Sequence, residues 1–237
     1  ALPMGTWSSA CHLPQKGLKN LGNTCFANAG MQVLLRLPAF AEWMNEHAKC
    51  CAQGAGCVLC SLHGTRLQLL AEDCRAPRPI MAQRLGLLDS AVLGSLADGC
   101  QHCAVEFVDR LLVRIRSDEC DAGRAGPWGD VQTDESLATH TERIFGFVRE
   151  TRRRCTVCAR AVTRAWYESE RVWRVTPELA GQDGITTSEL YLRSCKPQMV
   201  DVDCQQCGVC TVHEEQARVL SAPNVFLMQV RRTPGQR

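Results

Sequence analysis

Residues 17–29 read GLKNLGNTCFANA and set one thiol, Cys25, between a polar turn and an apolar run. Three roles suit a cysteine in this place: nucleophile, metal ligand or buried core thiol. Free cysteines are frequently buried as small hydrophobes, but three features of the stretch weigh against that role. Cys25 falls at the expected N-terminus of a helix, where the macrodipole and unpaired N–H groups lower a thiol pKa. Gly22 permits a tight turn ahead of it. Asn20 stands five residues upstream, where its amide could fold over the thiol and donate to an oxyanion.

Two further motifs suit a metal. CTVC supplies Cys155 and Cys158, and CQQC supplies Cys204 and Cys207. Each pair turns two thiolates toward one ion, and two such turns give the four-thiolate set that structural zinc prefers. The two pairs are separated by 45 residues, more than in a compact finger, and this suits two hairpin tips that meet at the end of a ribbon. Cys210 and His213 continue the series, so the fourth ligand is open. A second cluster, His47, Cys51, Cys57 and Cys60 in HAKCCAQGAGCVLC, has spacing that allows a metal and is equally compatible with packed thiols.

The elements that must position these groups are legible from periodicity. Residues 25–37 carry apolar side chains at helical spacing, with Asn23 and Thr24 as cap candidates and Pro38 as a stop. A short helix is expected over GTRLQLLAEDC, ended by RAPRP. In 101–116, Ala104, Phe107, Val108, Leu111, Leu112 and Ile115 lie on one helical face. Residues 117–140 read as a loop. The period then changes: ARAVTRAWYESERVWRV and EEQARVLSAPNVFLMQVRR read as strands, the latter ending in NVFLMQV, which suits a strand buried on both faces. A helical first part and a stranded second part make an α+β fold.

Composition narrows the class. The chain has 237 residues, 45% hydrophobic and 22% charged, with a formal net charge of +2. It is long enough to bury a core, and its bulk charge gives no reason to expect nucleic acid. No apolar run reaches the length of a membrane span, so no membrane partner is expected. The opening ALPMGTWSSACHLPQK lacks the pattern of a secretory signal and does not begin with Met, so a trimmed or partial chain is expected. Sixteen cysteines, several in C-x-x-C pairs, favour reduced thiols and residence in the cytoplasm or nucleus.

GLKNLGNTCFANA resembles the cysteine box of the ubiquitin-specific proteases, deubiquitinating cysteine proteases with a papain-like core. CQHCAVEFVDRLL is similar to that family's glutamine box: Gln101, Ala104, Glu106 and Phe107 match, and Cys103 stands where the family usually has Asp. IFGFVRETRRRCTVCARAVTR looks like the start of the family's fingers, and CQQC with ARVLSAPNVFLMQVRR like the return into its palm. HAKCCAQGAGCVLCSLHG resembles one branch of the family. The resemblance implies an N-terminal extension (1–16), a thumb with cysteine and glutamine boxes (17–145), zinc-binding fingers (146–222) and the first part of a palm (223–237). It implies ubiquitin or ubiquitinated proteins as partners, Cys25 as nucleophile, Asn20 as oxyanion donor, and Gln101, Glu106 and Phe107 as substrate-binding residues. Structural zinc would be held by Cys155, Cys158, Cys204 and Cys207. The family's later histidine segment, with patterns like H-x-G and G-H-Y, has no counterpart around His12, His47, His63, His102, His140 or His213. The expectation is therefore a deubiquitinase fragment without its general base; the alternative is an inactive ubiquitin-binding or zinc-stabilised interaction module.

Overall fold

The computed structural model describes residues 17–51, 56–71, 87–121, 139–158, 164–175 and 185–230. The chain divides into two compact units, residues 1–144 and 145–237. Among the described residues no helix is long and apolar enough to cross a membrane.

The first unit is helical: α1 (Cys25–Leu34), α2 (Pro38–Cys50), α3 (Val58–Leu70), α4 (Ser90–Leu93), a 3-10 turn (Gly94–Ala97), α5 (Ala104–Asp121) and α6 (His140–Phe145). α1 buries Phe26, Ala27, Gly30, Met31 and Leu34, a single stripe at helical spacing. α5 answers with Phe107, Val108, Leu111, Leu112 and Ile115, all buried. Each of these large side chains contributes roughly 1.5–3 kcal/mol by leaving water. The two helices cross closely at Gly30. A Cβ placed there would meet Phe107 Cδ1 at 2.8 Å and Val108 Cγ2 at 2.9 Å, so glycine is required by packing.

Several boundaries differ from the sequence reading, each for a physical reason. α1 ends at Leu34, and Pro38 opens α2 instead of merely stopping α1. At the first helical position proline's missing N–H costs no intrahelical bond. α3 begins at Val58, upstream of the expected start, because Val58, Leu59 and Leu62 supply buried apolar contacts. α3 also ends at Leu70, where Ala71 turns extended, short of the expected run to Cys74; residues 72–74 and the RAPRP breaker lie outside the described residues. α5 starts at Ala104 and continues to Asp121, so residues 101–103 are non-helical and part of the expected loop is helix; residues 122–138 lie outside the described set.

α6 is held at its N-terminus by a buried carboxylate. Glu119 accepts from His140 N at 2.9 Å, Thr141 N at 3.3 Å and Thr141 Oγ1 at 2.8 Å. These donors satisfy N–H groups that a helix start leaves unpaired. Thr139 and Glu142 add a reciprocal pair of bonds, 2.7 and 3.1 Å, the geometry of a capping box. Trp43 stacks on the His140 ring at 5.4 Å.

The second unit contains β1 (Phe147–Cys155), β2 (Arg164–Glu170), β3 (Val172–Val175), α7 (Thr187–Ser194), β4 (Gln198–Cys204), β5 (Val209–Ser221) and β6 (Leu227–Val230). Four strands form an antiparallel sheet in the order β2-β1-β5-β4, and β3 pairs with β6 in parallel. Phe147, Trp173, Val175, Leu190 and Ala217 make a core cluster. The charges of β1 are paired across to β5, Arg153 with Glu215 and the buried Glu150 with Arg218, while Arg152 pairs with Glu150 along β1 itself. β6 is half-exposed, not buried on both faces as NVFLMQV suggests. Among the described residues its one strand neighbour is β3, so one side of the apolar run stays uncovered. α7 adds a helix that the apolar periodicity does not predict, although a local signal is present: Thr186 and Glu189 form a complete capping box.

Candidate active site and metal centres

The turn before Cys25 is built from its own polar side chains. Gly22 (φ 87°) and Asn23 (φ 42°) take left-handed conformations, which glycine and asparagine adopt most readily. Asn23 Nδ2 donates to the Gly99 carbonyl at 3.0 Å, joining the turn to the segment that precedes α5. The Thr24 hydroxyl accepts from Leu21 N at 3.0 Å and donates to Asn20 Oδ1 at 2.9 Å. Thr24 N donates to the same oxygen at 3.2 Å. With Oδ1 engaged twice, the amide N–H2 of Asn20 is the end left to donate. Asn28, one turn into α1, straps the upstream segment by donating to the Leu18 and Lys19 carbonyls at 3.4 and 3.3 Å.

Cys25 is exposed at the first position of α1. Gln101 Nε2 donates to Cys25 Sγ at 3.7 Å. This contact spans 76 positions and depends on residues 101–103 being non-helical. Glu106 is exposed in the first turn of α5. Phe107 is fully buried and packs edge-to-face on Phe26 at 6.0 Å between centroids, so it supports α1 from beneath instead of facing solvent. Asn20, Cys25 and Gln101 thus converge, Glu106 lies at the start of α5, and Phe107 belongs to the core.

Each described histidine of the first unit has another partner. His47 Nε2 lies 3.2 Å from Cys57 Sγ, His63 pairs with Asn45, His102 with Asp98 and His140 with Glu119. Among the described residues of that unit, no histidine hydrogen-bonds Cys25.

Cys155, Cys158, Cys204 and Cys207 bring four sulfurs within 4.8 Å of one another. The positions follow from the strands: Cys155 ends β1, Cys204 ends β4, and Cys207 sits in the β4–β5 turn, where Gly208 adopts φ 68°. Sulfur separations are 3.9 Å for Cys155–Cys207, 3.4 Å for Cys158–Cys204 and 2.9 Å for Cys158–Cys207. Tetrahedral zinc with thiolate bonds of about 2.3 Å requires separations of about 3.8 Å, so the cradle is near the required size. Of the candidates the sequence left open for the fourth position, Cys207 is the one whose sulfur joins the other three. Cys210 points to solvent, and His213 is buried with Nδ1 3.0 Å from the Thr211 carbonyl. The Thr211 hydroxyl, with backbone N–H groups of the turn, pulls the Cys155 thiol down to about 5. Cys155 is thus a thiolate, the form that binds metal, at neutral pH.

The second cluster also closes in space. His47, Cys51, Cys57 and Cys60 place their ligand atoms within 4.8 Å of one another, from the end of α2 and the start of α3. Burial pushes the Cys60 thiol up to about 12 and raises Cys57 as well. A divalent cation reverses such shifts by stabilising the thiolates. Both donor sets, four sulfurs in one cluster and three sulfurs with one imidazole nitrogen in the other, match structural zinc sites.

The ubiquitin carboxyl-terminal hydrolase family model matches residues 16–236. Ubiquitin carboxyl-terminal hydrolase 15 of Arabidopsis thaliana is 26% identical over 236 residues, covering 93% of this chain and 23% of that protein. Ubiquitin carboxyl-terminal hydrolase 17-like protein 23 of Homo sapiens is 44% identical over 72 residues, covering 30% of this chain and 39% of its own length. The structure of the SAGA Ubp8/Sgf11/Sus1/Sgf73 DUB module bound to ubiquitin aldehyde superposes with a TM-score of 0.69 at 18% identity, covering 95% of this chain and 49% of that one. The chain therefore spans less than half the length of each of these relatives, and its mixed helix-and-sheet architecture is the fold of the ubiquitin-specific proteases. Because that family model spans nearly the whole chain, this chain belongs to the ubiquitin carboxyl-terminal hydrolase family.

Proposed function

We propose that the chain carries the nucleophile half of a deubiquitinase site, acting on the bond that follows ubiquitin's C-terminal glycine. The observation that carries this reading is the exposed Cys25 thiol at the start of α1, with Gln101 Nε2 at 3.7 Å and Asn20 folded into the preceding turn. In this scheme the Cys25 sulfur adds to the glycine carbonyl and the amine leaves, giving a thioester that water hydrolyses. Asn20 and the Cys25 backbone N–H donate to the tetrahedral oxyanion. Gln101 lies against the attacking sulfur, and Glu106 is the exposed group at the start of α5 that contacts the substrate. Phe107 contributes through Phe26.

Proton transfer to the leaving amine needs a general acid, and in the described part of the first unit no histidine meets Cys25. That observation favours a second reading: a ubiquitin-binding chain without turnover of its own. Zinc in both readings is structural. Cys155, Cys158, Cys204 and Cys207 would hold one ion and His47, Cys51, Cys57 and Cys60 another, each tying two chain segments together.

A ubiquitin probe with a C-terminal electrophile separates the readings. Covalent capture that vanishes in Cys25→Ala supports a formed nucleophile. Absence of capture by folded protein removes the catalytic reading, and calorimetric titration with ubiquitin then decides whether binding survives.

A further inference from the structure

The segment between the 3-10 turn and α5 holds an imidazole–carboxylate pair with no part in the scheme above. His102 Nε2 lies 2.7 Å from Asp98 Oδ1. Asp98 Oδ1 also accepts from Cys100 N at 2.8 Å, closing a tight turn over residues 98–100. Gly99, inside that turn at φ 79°, gives its carbonyl to Asn23 of the cysteine turn. On the other side the His102 ring stands edge-on to Phe26, the residue after Cys25, at 5.4 Å and 77°. His102 is mostly enclosed, with 19% of its side chain exposed, against 48% for Asp98.

Gln101 sits between these anchors. Residues 101–103 belong to no helix or strand, so regular backbone bonding does not orient the Gln101 amide. It is flanked in the chain by the Asp98–Cys100 turn on one side and by the enclosed His102 imidazole on the other. His102 is charge-assisted as a donor when it is imidazolium, and such bonds are roughly twice as strong as neutral ones. The titratable groups around it are Asp98, Cys100 and Cys103 on its own segment, Cys25 on α1 and Glu106 on the first turn of α5; the packed faces of Phe26 and Phe107 are apolar.

We propose that Asp98 and His102 are positioning residues for the Cys25 thiol: their pairing holds Gln101 against the sulfur and makes that contact depend on the charge of His102. The inference rests on Cys25 being the nucleophile. In chemical terms the Gln101 N–H stabilises the thiolate, and loosening the pair withdraws that donor.

The test is the rate of Cys25 alkylation by iodoacetamide, read by peptide mass spectrometry on the full zinc-loaded chain between about pH 5 and 9, the range in which imidazole and thiol titrate. Exposed Cys50 and Cys210 in the same molecule serve as references. Wild type is compared with Gln101→Ala, Asp98→Asn and His102→Gln; the last keeps a donor, and Asp98 is at the surface, so folding is preserved. The expected result is a fall in Cys25 reactivity of about threefold to tenfold in all three variants relative to the references, the size of one hydrogen bond. The pH dependence that the imidazole gives to Cys25 reactivity disappears in His102→Gln, leaving that of the thiol. If wild-type Cys25 outpaces Cys50 and Cys210 but its pH profile superimposes on those of His102→Gln and Asp98→Asn, the positioning role is overturned. If wild-type Cys25 is no faster than the references, the nucleophile reading itself fails.

Discussion

A thiol at the first position of a helix has an electrostatic advantage before any partner is added, because the free N–H groups there favour negative charge. The turn before Cys25, at the first position of α1, has polar side chains that are already committed. Thr24 and Asn20 bond each other, Asn28 straps residues 18–19, and the Asn20 N–H2 remains to donate. These roles differ in what they predict. Asn20→Ala removes the N–H2 donor that an oxyanion would use, together with the Oδ1 that accepts from Thr24 in the turn. Capture of a ubiquitin C-terminal electrophile is expected to slow about 100-fold, while alkylation of Cys25 by a small reagent changes little. Equal loss in both assays would assign Asn20 to the turn alone. The Cys25–Asn20 relation is legible in the sequence because both lie in one short segment of distinctive types. The Gln101–Cys25 contact is not legible from spacing, since 76 positions separate the two residues and only the packing of α1 on α5 brings them together.

At the scale of elements, the positioning of the cysteine turn depends on the α1–α5 crossing. Gly30→Ala places a methyl group against Phe107 at 2.8 Å and Val108 at 2.9 Å. The expected cost is about 1–3 kcal/mol for an overpacked core, read as a lower denaturation midpoint with the slope unchanged. Glu119 makes a pH prediction. Burial alone would raise its pKa, but hydrogen bonds from His140 and Thr141 outweigh burial and lower it below the ordinary value of 4.5. A carboxylate depressed in the folded state contributes stability above its unfolded pKa and loses it as pH falls through the folded value. Wild type should therefore lose stability in the first unit below about pH 4.5, whereas Glu119→Gln is less stable by about 2 kcal/mol at neutral pH and flatter in acid. Thermal melts of both proteins from neutral pH down into acid check this, and parallel curves would refute it. Long periodic helices such as α5 are readable from sequence. Their ends are not: Pro38 serves equally to stop one helix or start the next, and only burial of Val58 and Leu59 shows where α3 begins.

Across the whole molecule, two clusters of soft ligands each join two chain segments. One links the β1 and β4–β5 tips of the second unit, and the other links α2 to α3 in the first. The folded chain is expected to bind two zinc ions, measured by elemental analysis. Cys204→Ser and Cys57→Ser should each lose one equivalent, and Cys210→Ser none. Zinc release should rise as the pH falls, because proton and metal compete for the same thiolates. A single equivalent in wild type would reduce the second cluster to packed thiols.

The sequence by itself determined the turn before Cys25, the order of helical and stranded parts, and the two C-x-x-C pairs, because each is a local pattern of residue types at fixed spacing. Tertiary structure alone decided the rest. It selected Cys207 over Cys210 and His213 as the fourth sulfur, since strand register sends Cys210 outward and turns His213 onto the Thr211 carbonyl. It moved Phe107 into the core and Gln101 to the thiol, although the two lie close together on one segment. The helix begins between them, and that break sends one side chain inward and the other across to Cys25.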